Sequence, residues 1–143
     1  MDEKDGQIIK DSALVIADQI ASALPGLNIA WGLSKALYGA GLKLREQRAL
    51  EWVEMVRDNP SAFTESILQD VKFQDGFVYA LERYIREKSE NKRAAMRAIF
   101  LGFAQPSNQD RFELERMYHV LSILSLQDMT VLKNVDATMI DFH

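Results

Sequence analysis

The sequence has no cysteine and only two histidines among its 143 residues. Without thiols the chain can form no disulfide, no cysteine nucleophile and no thiolate ligand for a metal ion. One of the two histidines is the last residue, His143, so an imidazole-based metal site is also disfavoured. We therefore expect no metal and no cofactor.

Neither sign of charge dominates, because 17 Lys and Arg residues stand against 21 Asp and Glu residues. No part of the chain is basic enough for the usual electrostatic footprint of a nucleic-acid-binding protein, so no nucleic-acid partner is expected. The acidic start, MDEKDGQ, lacks the basic region of a signal peptide. The sequence therefore predicts a cytoplasmic protein.

Residues that interrupt helices are few, since there are only three prolines and seven glycines. Between the breaks, apolar residues recur at helical spacing, and no segment shows the strict alternation of a strand. The sequence predicts an all-α fold, a compact bundle of six or seven mostly antiparallel helices with short loops. We expect a single domain over residues 1–134 and a flexible or peptide-like tail over residues 135–143.

The breaks also place the predicted helices along the chain. The first is expected over 7–24, ended by Pro25 and Gly26, and the second over 28–57, with a bend at Gly39–Gly41. The remaining helices are expected to start at Pro60, after Asp75, at Glu90, after the Ser107–Asp110 cap and after Ser125. Inward-facing positions include Ile16 and Ile20; Phe63, Ile67 and Val71; Phe77, Leu81 and Tyr84; Met96 and Phe100; and Leu114, Met117, Tyr118 and Leu121.

The segment 21–42 is unusual because it carries one charge, Lys35, and its second half is apolar on every helical face. Gly32, Ala36 and Ala40 recur every fourth residue, which removes side-chain bulk and lets another helix approach closely. A glycine inside a helix costs about 1 kcal/mol relative to alanine. The pattern therefore indicates a packing or functional role for this helix.

Three interpretations of this helix remain open. It is a central helix wrapped by the others, or a face for self-association or a protein partner, or a membrane contact in which the hairpin 12–44 lies in the lipid interface. Asp11 and Asp18 argue against deep burial in lipid. The candidate helix-packing or interface residues are Trp31, Gly32, Leu33, Ala36, Leu37, Tyr38 and Ala40.

A second candidate site is a basic cluster between the fourth- and fifth-helix regions of the sequence. Lys88, Lys92, Arg93 and Arg97 form a candidate patch for an anion or an acidic partner. Helical pairs such as Glu82 with Arg86 neutralise part of the neighbouring charge, and no aromatic residues interleave with the cluster.

No constellation combines the residue types and the spacing that catalysis requires. Glu115, His119 and Ser122 share one helix face, but mid-helix amides are already hydrogen bonded and cannot form an oxyanion hole. Glu51, Glu54 and Asp58 also share one helix face, and we expect this face to be exposed to solvent and not catalytic. We expect a non-enzymatic protein–protein interaction module, a small accessory or regulatory protein that binds a protein partner, with self-association through the second helix as one form of this contact. The first alternative is a peripheral membrane protein inserting 12–44, and the second is a hydrolase.

Overall fold

The computed structural model describes residues 2–104 and 111–124, with side chains from residue 13 onward in the first range and from 113 in the second. In this part the chain forms seven helices and no strand, which confirms the predicted all-α bundle. The helices are α1 (Asp2–Ala23), α2 (Leu27–Leu44), α3 (Glu46–Arg57), α4 (Glu65–Leu68), α5 (Val71–Arg86), α6 (Glu90–Phe103) and α7 (Arg111–Ile123).

The order of the contacts shows the relative directions of neighbouring helices. On α5 and α6, Tyr84 meets Arg97, whereas the earlier Gly76 meets the later Phe103. These two helices are therefore antiparallel. The same reversed order relates α3 to α5 (Arg48 with Ile85, Trp52 with Phe77) and α6 to α7 (Lys92 with Ser122, Met96 with Tyr118).

An aromatic cluster forms the centre of the core where α3, α5 and α6 meet. The fully buried Trp52 lies with its ring centroid 4.9 Å from that of Phe100 and 5.0 Å from that of Tyr84. Phe77 and Phe73 of α5 complete the cluster around Phe100. Each such tilted pair contributes about 0.5–1.5 kcal/mol beyond the area it buries. The cluster thereby ties three helices to one another.

The predicted stop at Pro25–Gly26 is confirmed, because α1 ends at Ala23 and α2 begins at Leu27. Gly26 has φ +95°, a conformation that L side chains rarely adopt. A Cβ at this position would also lie 2.3 Å from the carbonyl oxygen of Leu68. Glycine is therefore required here by both dihedral angle and space, and the turn is packed directly onto the end of α4.

The break predicted at Asp75–Gly76 is wrong, because both residues lie inside α5. Gly76 is present for close packing: a Cβ there would lie 2.3 Å from Cε1 of Phe103. The actual start of α5 is marked by Asp70, whose carboxylate accepts a hydrogen bond of 2.8 Å from the amide of Lys72. Val71 is 65% exposed as the first residue of α5, so its predicted place on a core face is also wrong.

The helix predicted to start at Pro60 begins later. Thr64 caps α4 by accepting a hydrogen bond from the amide of Ile67, while Phe63 and Ile67 are buried as predicted. The side chain of Asn59 does not cap a new helix; it donates to the carbonyl oxygen of Met55 at 2.7 Å in the last turns of α3. Residues 59–63 therefore form a connecting segment between α3 and α4.

The single helix predicted over 28–57 is two helices. Arg45, with φ −128° and ψ 45°, separates α2 from α3. A kink lies next to the predicted bend, since Tyr38 has the non-helical angles φ −127° and ψ 21° immediately before Gly39. These two breaks let α2 pack on α5 and let α3 pack on α1, which one straight rod of this length could not do.

The last two helices agree with the prediction where they are described, except at Met117. The helix predicted over 90–104 is α6, and Ser89 caps it by accepting from the amide of Lys92. On α7 the predicted inward residues Leu114, Tyr118 and Leu121 are buried, whereas Met117 is 47% exposed. The Ser107–Asp110 cap, the short helix after Ser125 and the tail 135–143 lie outside the described residues.

Candidate functional site

Helix α2 has two apolar faces, and the bundle covers only one of them. The covered face consists of Leu27, Ala30, Trp31, Ser34 and Leu42. On the opposite side Ile29, Leu33 and Leu37, spaced by four residues, are 51%, 45% and 64% exposed. Among the described residues, α2 is therefore not wrapped on all sides by the other helices, contrary to the first interpretation. It packs on α1 and α5, and within the described part of the chain no helix covers its remaining side.

The row of small residues lies on the uncovered side of α2. Gly32, Ala36 and Ala40 are exposed, next to Leu33 and Leu37. A Cβ built at Gly32 would meet nothing within 4 Å among the described atoms, and the same holds for Gly39. Packing against the described residues therefore does not explain these glycines, although each costs about 1 kcal/mol in a helix.

Two of the predicted interface residues pack against the rest of the bundle, one fully and one in part. Trp31 is 4% exposed, and its Nε1 donates a hydrogen bond of 2.6 Å to Oδ1 of Asp18 on α1. The ammonium group of Lys35 lies 3.0 Å from the same oxygen, so the only charge between Leu27 and Leu42 is paired with α1. Tyr38 is half-buried at the kink. The residues left for an external contact are therefore uncharged.

The basic cluster is largely engaged by carboxylates and carbonyl groups of the same chain. Glu90 accepts from Arg93 at 2.8 Å and from Arg97 at 3.2 Å. The hydrogen bonds from Arg97 and then Arg93 lower the pKa of the Glu90 carboxyl group. Arg93 also donates to the carbonyl oxygen of Glu87, and Lys92 donates to that of Ser122. The fourth residue of the cluster, Lys88, is exposed. Because the other three are engaged within the chain, the cluster offers an external anion less positive charge than the sequence indicates.

An acidic groove lies between α3 and α6, with a volume of about 460 Å³. Its lining includes the predicted solvated carboxylates Glu51, Glu54 and Asp58, together with Glu90 and Arg97. The hydroxyl of Tyr84 donates to Glu51 at 2.7 Å and accepts from Arg97 at the edge of this groove. Burial and then the hydrogen bond to Glu51 raise the pKa of Tyr84 to about 12, so the hydroxyl stays protonated near neutral pH.

Sequence reasoning missed this connection of Tyr84 with Glu51 and Arg97. The three side chains come from α5, α3 and α6 and are separated by 33 and 13 positions. Helical periodicity places Tyr84 on the core face but carries no information about which carboxylate reaches it. Only the packing of the three helices brings the groups together.

The geometry around His119 does not match a catalytic triad. The hydroxyl of Ser122 donates to the backbone carbonyl oxygen of His119 at 2.6 Å, so its single proton is not directed at the imidazole. Both side chains are exposed on α7. Among the described residues, no group of three or more metal-ligating side chains is close enough to hold a metal ion.

In the described ranges, no helix combines the length and the apolar character needed to cross a bilayer. Comparison of the chain with protein-family models, curated proteins and solved structures found no match.

Proposed function

We propose that this chain is a non-enzymatic protein–protein interaction module, a small cytoplasmic accessory or regulatory protein that binds through the exposed side of α2. This surface, the α2 face, consists of Ile29, Gly32, Leu33, Ala36, Leu37 and Ala40. The observation that carries the proposal is the exposure of three large aliphatic side chains in one stripe. Scattered exposed apolar residues are normal, but a contiguous apolar patch marks an interaction surface.

The shape of the α2 face favours another helix as the binding element. Leu33 and Leu37 form a ridge, and the row of Gly32, Ala36 and Ala40 forms a shallow groove beside it. Helices pack by placing the ridge of one into the groove of the other, and small residues in the groove shorten the distance between the axes. No described neighbour requires a glycine at position 32, and a close helix–helix contact would explain it.

The size of the α2 face limits its affinity. Removing a half-exposed leucine-sized side chain from water contributes on the order of 1 kcal/mol. Three such side chains give a few kcal/mol, whereas association costs on the order of 4–15 kcal/mol in lost translational and rotational freedom. A stable complex therefore needs contacts beyond the α2 face, so the partner must also reach the surface around it.

Site-specific photocrosslinking tests this proposal. A photoreactive phenylalanine analogue in place of Leu37 should form a covalent protein adduct in living cells, and Ala36→Trp, which fills the groove, should abolish that adduct. The same analogue in place of Val120, which is 46% exposed on α7, is the matched control and should give no such adduct. No adduct from position 37, or equal adducts from both positions, would overturn the proposal.

Vesicle flotation tests the alternative that the α2 face binds a membrane. Flotation of the purified protein with anionic vesicles, abolished by Leu33→Asp but not by Val120→Asp, would assign the α2 face to a lipid surface instead of a protein. These two positions are equally exposed, at 45% and 46%, so a general effect of an added charge would appear in both variants. We expect no flotation of any of the three proteins.

A further inference from the structure

We propose that the partner of the α2 face is a second copy of this chain, bound with its α2 antiparallel about a two-fold axis near Ala36. The inference rests on the proposed function and adds the identity and orientation of the partner. It is carried by the distribution of charge at the two ends of α2, which the packing of α5 determines.

Helices α2 and α5 run parallel, unlike the other pairs described above. At the start of α2, Gly26 packs on the backbone of Leu68 and Gln69, just before α5 begins. Near the end of α2, a Cβ at Gly41 would lie 3.7 Å from Cδ1 of Ile85, in the last turn of α5. The charges around the start of α5 therefore lie beside the start of α2, and those around its end lie beside the end of α2.

Among the side chains that the structure describes, the two ends of α2 consequently have opposite charge. At the acidic end the exposed charged side chains are Glu65, Asp70, Lys72 and Asp75. At the basic end they are the exposed Lys43, Arg45, Arg83, Arg86 and Lys88 and the half-buried Arg48. The half-buried Glu46, Glu82 and Glu87 offset part of this charge, and Glu82 is paired with both Arg83 and Arg86. With 18 residues at 1.5 Å each, α2 is about 27 Å long. This length exceeds the Debye length of about 8 Å at physiological ionic strength, so the two ends act as separate poles.

An antiparallel pair satisfies both poles at once. A two-fold axis through the middle of α2 places the acidic end of each copy beside the basic end of the other, while the uncharged α2 faces meet at the centre. A parallel pair would instead bring like charges together at both ends. An anionic membrane would attract one end and repel the other. The charge pattern therefore favours a second, antiparallel copy over both arrangements.

Charge reversal tests the arrangement, with sedimentation equilibrium at low salt and micromolar concentration as the readout. The basic-end variant carries Lys43→Glu and Arg45→Glu, and the acidic-end variant carries Glu65→Lys and Asp75→Lys. Asp70 is left unchanged because it caps α5. We expect the unaltered protein to dimerise and each variant alone to self-associate at least about tenfold more weakly, because like charges then face each other at both ends.

Combining the two sets of substitutions, in a mixture or in one chain, gives the decisive result. An equimolar mixture of the two variants should recover the dimer as a heterodimer, and one chain carrying all four substitutions should recover it as a homodimer. A control with Lys92→Glu and Arg116→Glu, which places the net-charge change of the basic-end variant on α6 and α7, should dimerise like the unaltered protein. Circular dichroism confirms that each variant is folded.

Three outcomes would overturn the inference. The unaltered protein could remain monomeric throughout the concentration range, either end variant could dimerise normally, or the mixture could fail to recover the dimer. A monomer that still gives a photocrosslinked adduct from position 37 would leave the proposed function in place with a different partner. A monomer without that adduct would remove both proposals, so the two failures are distinguishable.

Discussion

Gly76 and Gly102 are both helical glycines, yet a methyl group added at each would enter different surroundings. At Gly76 the ring of Phe103 occupies the space, and at Gly102 no described atom lies within 4 Å. The backbone preference of glycine is the same in both cases, since glycine is about 1 kcal/mol less favourable than alanine in a helix. The difference between the two sites therefore isolates the contribution of close packing between α5 and α6.

We expect Gly76→Ala to lower the free energy of unfolding by about 1–3 kcal/mol, because the added methyl group forces Phe103 out of its place. Gly102→Ala is the matched control and should raise it by up to about 1 kcal/mol. Urea unfolding followed by circular dichroism measures both. Equal effects of the two substitutions would contradict the close contact between α5 and Phe103.

A second prediction concerns the buried hydroxyl of Tyr84, whose pKa is raised from 10.0 to about 12 by burial and by Glu51. Below pH 10 the folded and unfolded chains both keep this proton, so its stabilising contribution is fully present. As the pH rises from 10 to 12, the unfolded chain loses the proton first, and stability is lost. Tyr84→Phe removes this titration.

Urea unfolding of the two proteins at increasing pH measures the effect. The free energy of unfolding should fall more steeply above about pH 10 for the unaltered protein than for Tyr84→Phe. Their difference at neutral pH gives the cost of losing the hydrogen bonds to Glu51 and Arg97. Parallel pH profiles would show that the hydroxyl is not protected from ionisation in the folded state.

At the scale of the element, α2 shows which features a sequence pattern can and cannot predict. Periodicity predicts the last residue of α6 to within one position, because one stripe of apolar residues in this helix faces the core. In α2 apolar residues occur all round, so the pattern cannot indicate which side is covered. The covered side is decided by the positions of α1 and α5, which periodicity within one helix does not contain.

The same limit explains the break wrongly placed at Gly76. A glycine that ends a helix and a glycine that admits a neighbouring ring look alike in the sequence, and only the position of Phe103 distinguishes them. Gly26 was predictable because proline precedes it and the helical pattern stops there. The candidate interface was predictable as a segment, but its division into buried Trp31 and exposed Leu33 was not.

Two leucines on α2 test the difference between its faces. Leu42 is 1% exposed and Leu37 is 64% exposed. In dilute solution, Leu42→Ala should lower the free energy of unfolding by about 2–5 kcal/mol, because it leaves a cavity in the core. Leu37→Ala should change it by no more than about 0.5 kcal/mol, because the side chain is already in water. A large loss for Leu37→Ala would mean that the monomer covers this face.

At the scale of the whole molecule, the α1–α2 hairpin is attached to the rest mainly through two pairs of helices. Helix α1 packs on α3, and α2 packs on α5. Because α3 and α5 also hold the aromatic cluster around Trp52, the hairpin and the cluster share their supporting helices. Local unfolding of the hairpin would expose the core faces of both α3 and α5, so we expect the described helices to unfold together.

The two tryptophans report on these two parts of the molecule. Trp31 lies between α1 and α2, and Trp52 lies in the cluster of α3, α5 and α6. In Trp52→Phe the fluorescence follows the hairpin, and in Trp31→Phe it follows the cluster. Within each variant, the midpoint of the fluorescence transition in urea should coincide with the midpoint from circular dichroism. Each variant is compared only with itself, so a change in overall stability does not affect the result. An earlier fluorescence transition in Trp52→Phe would show that the hairpin, and with it the α2 face, opens as a separate unit.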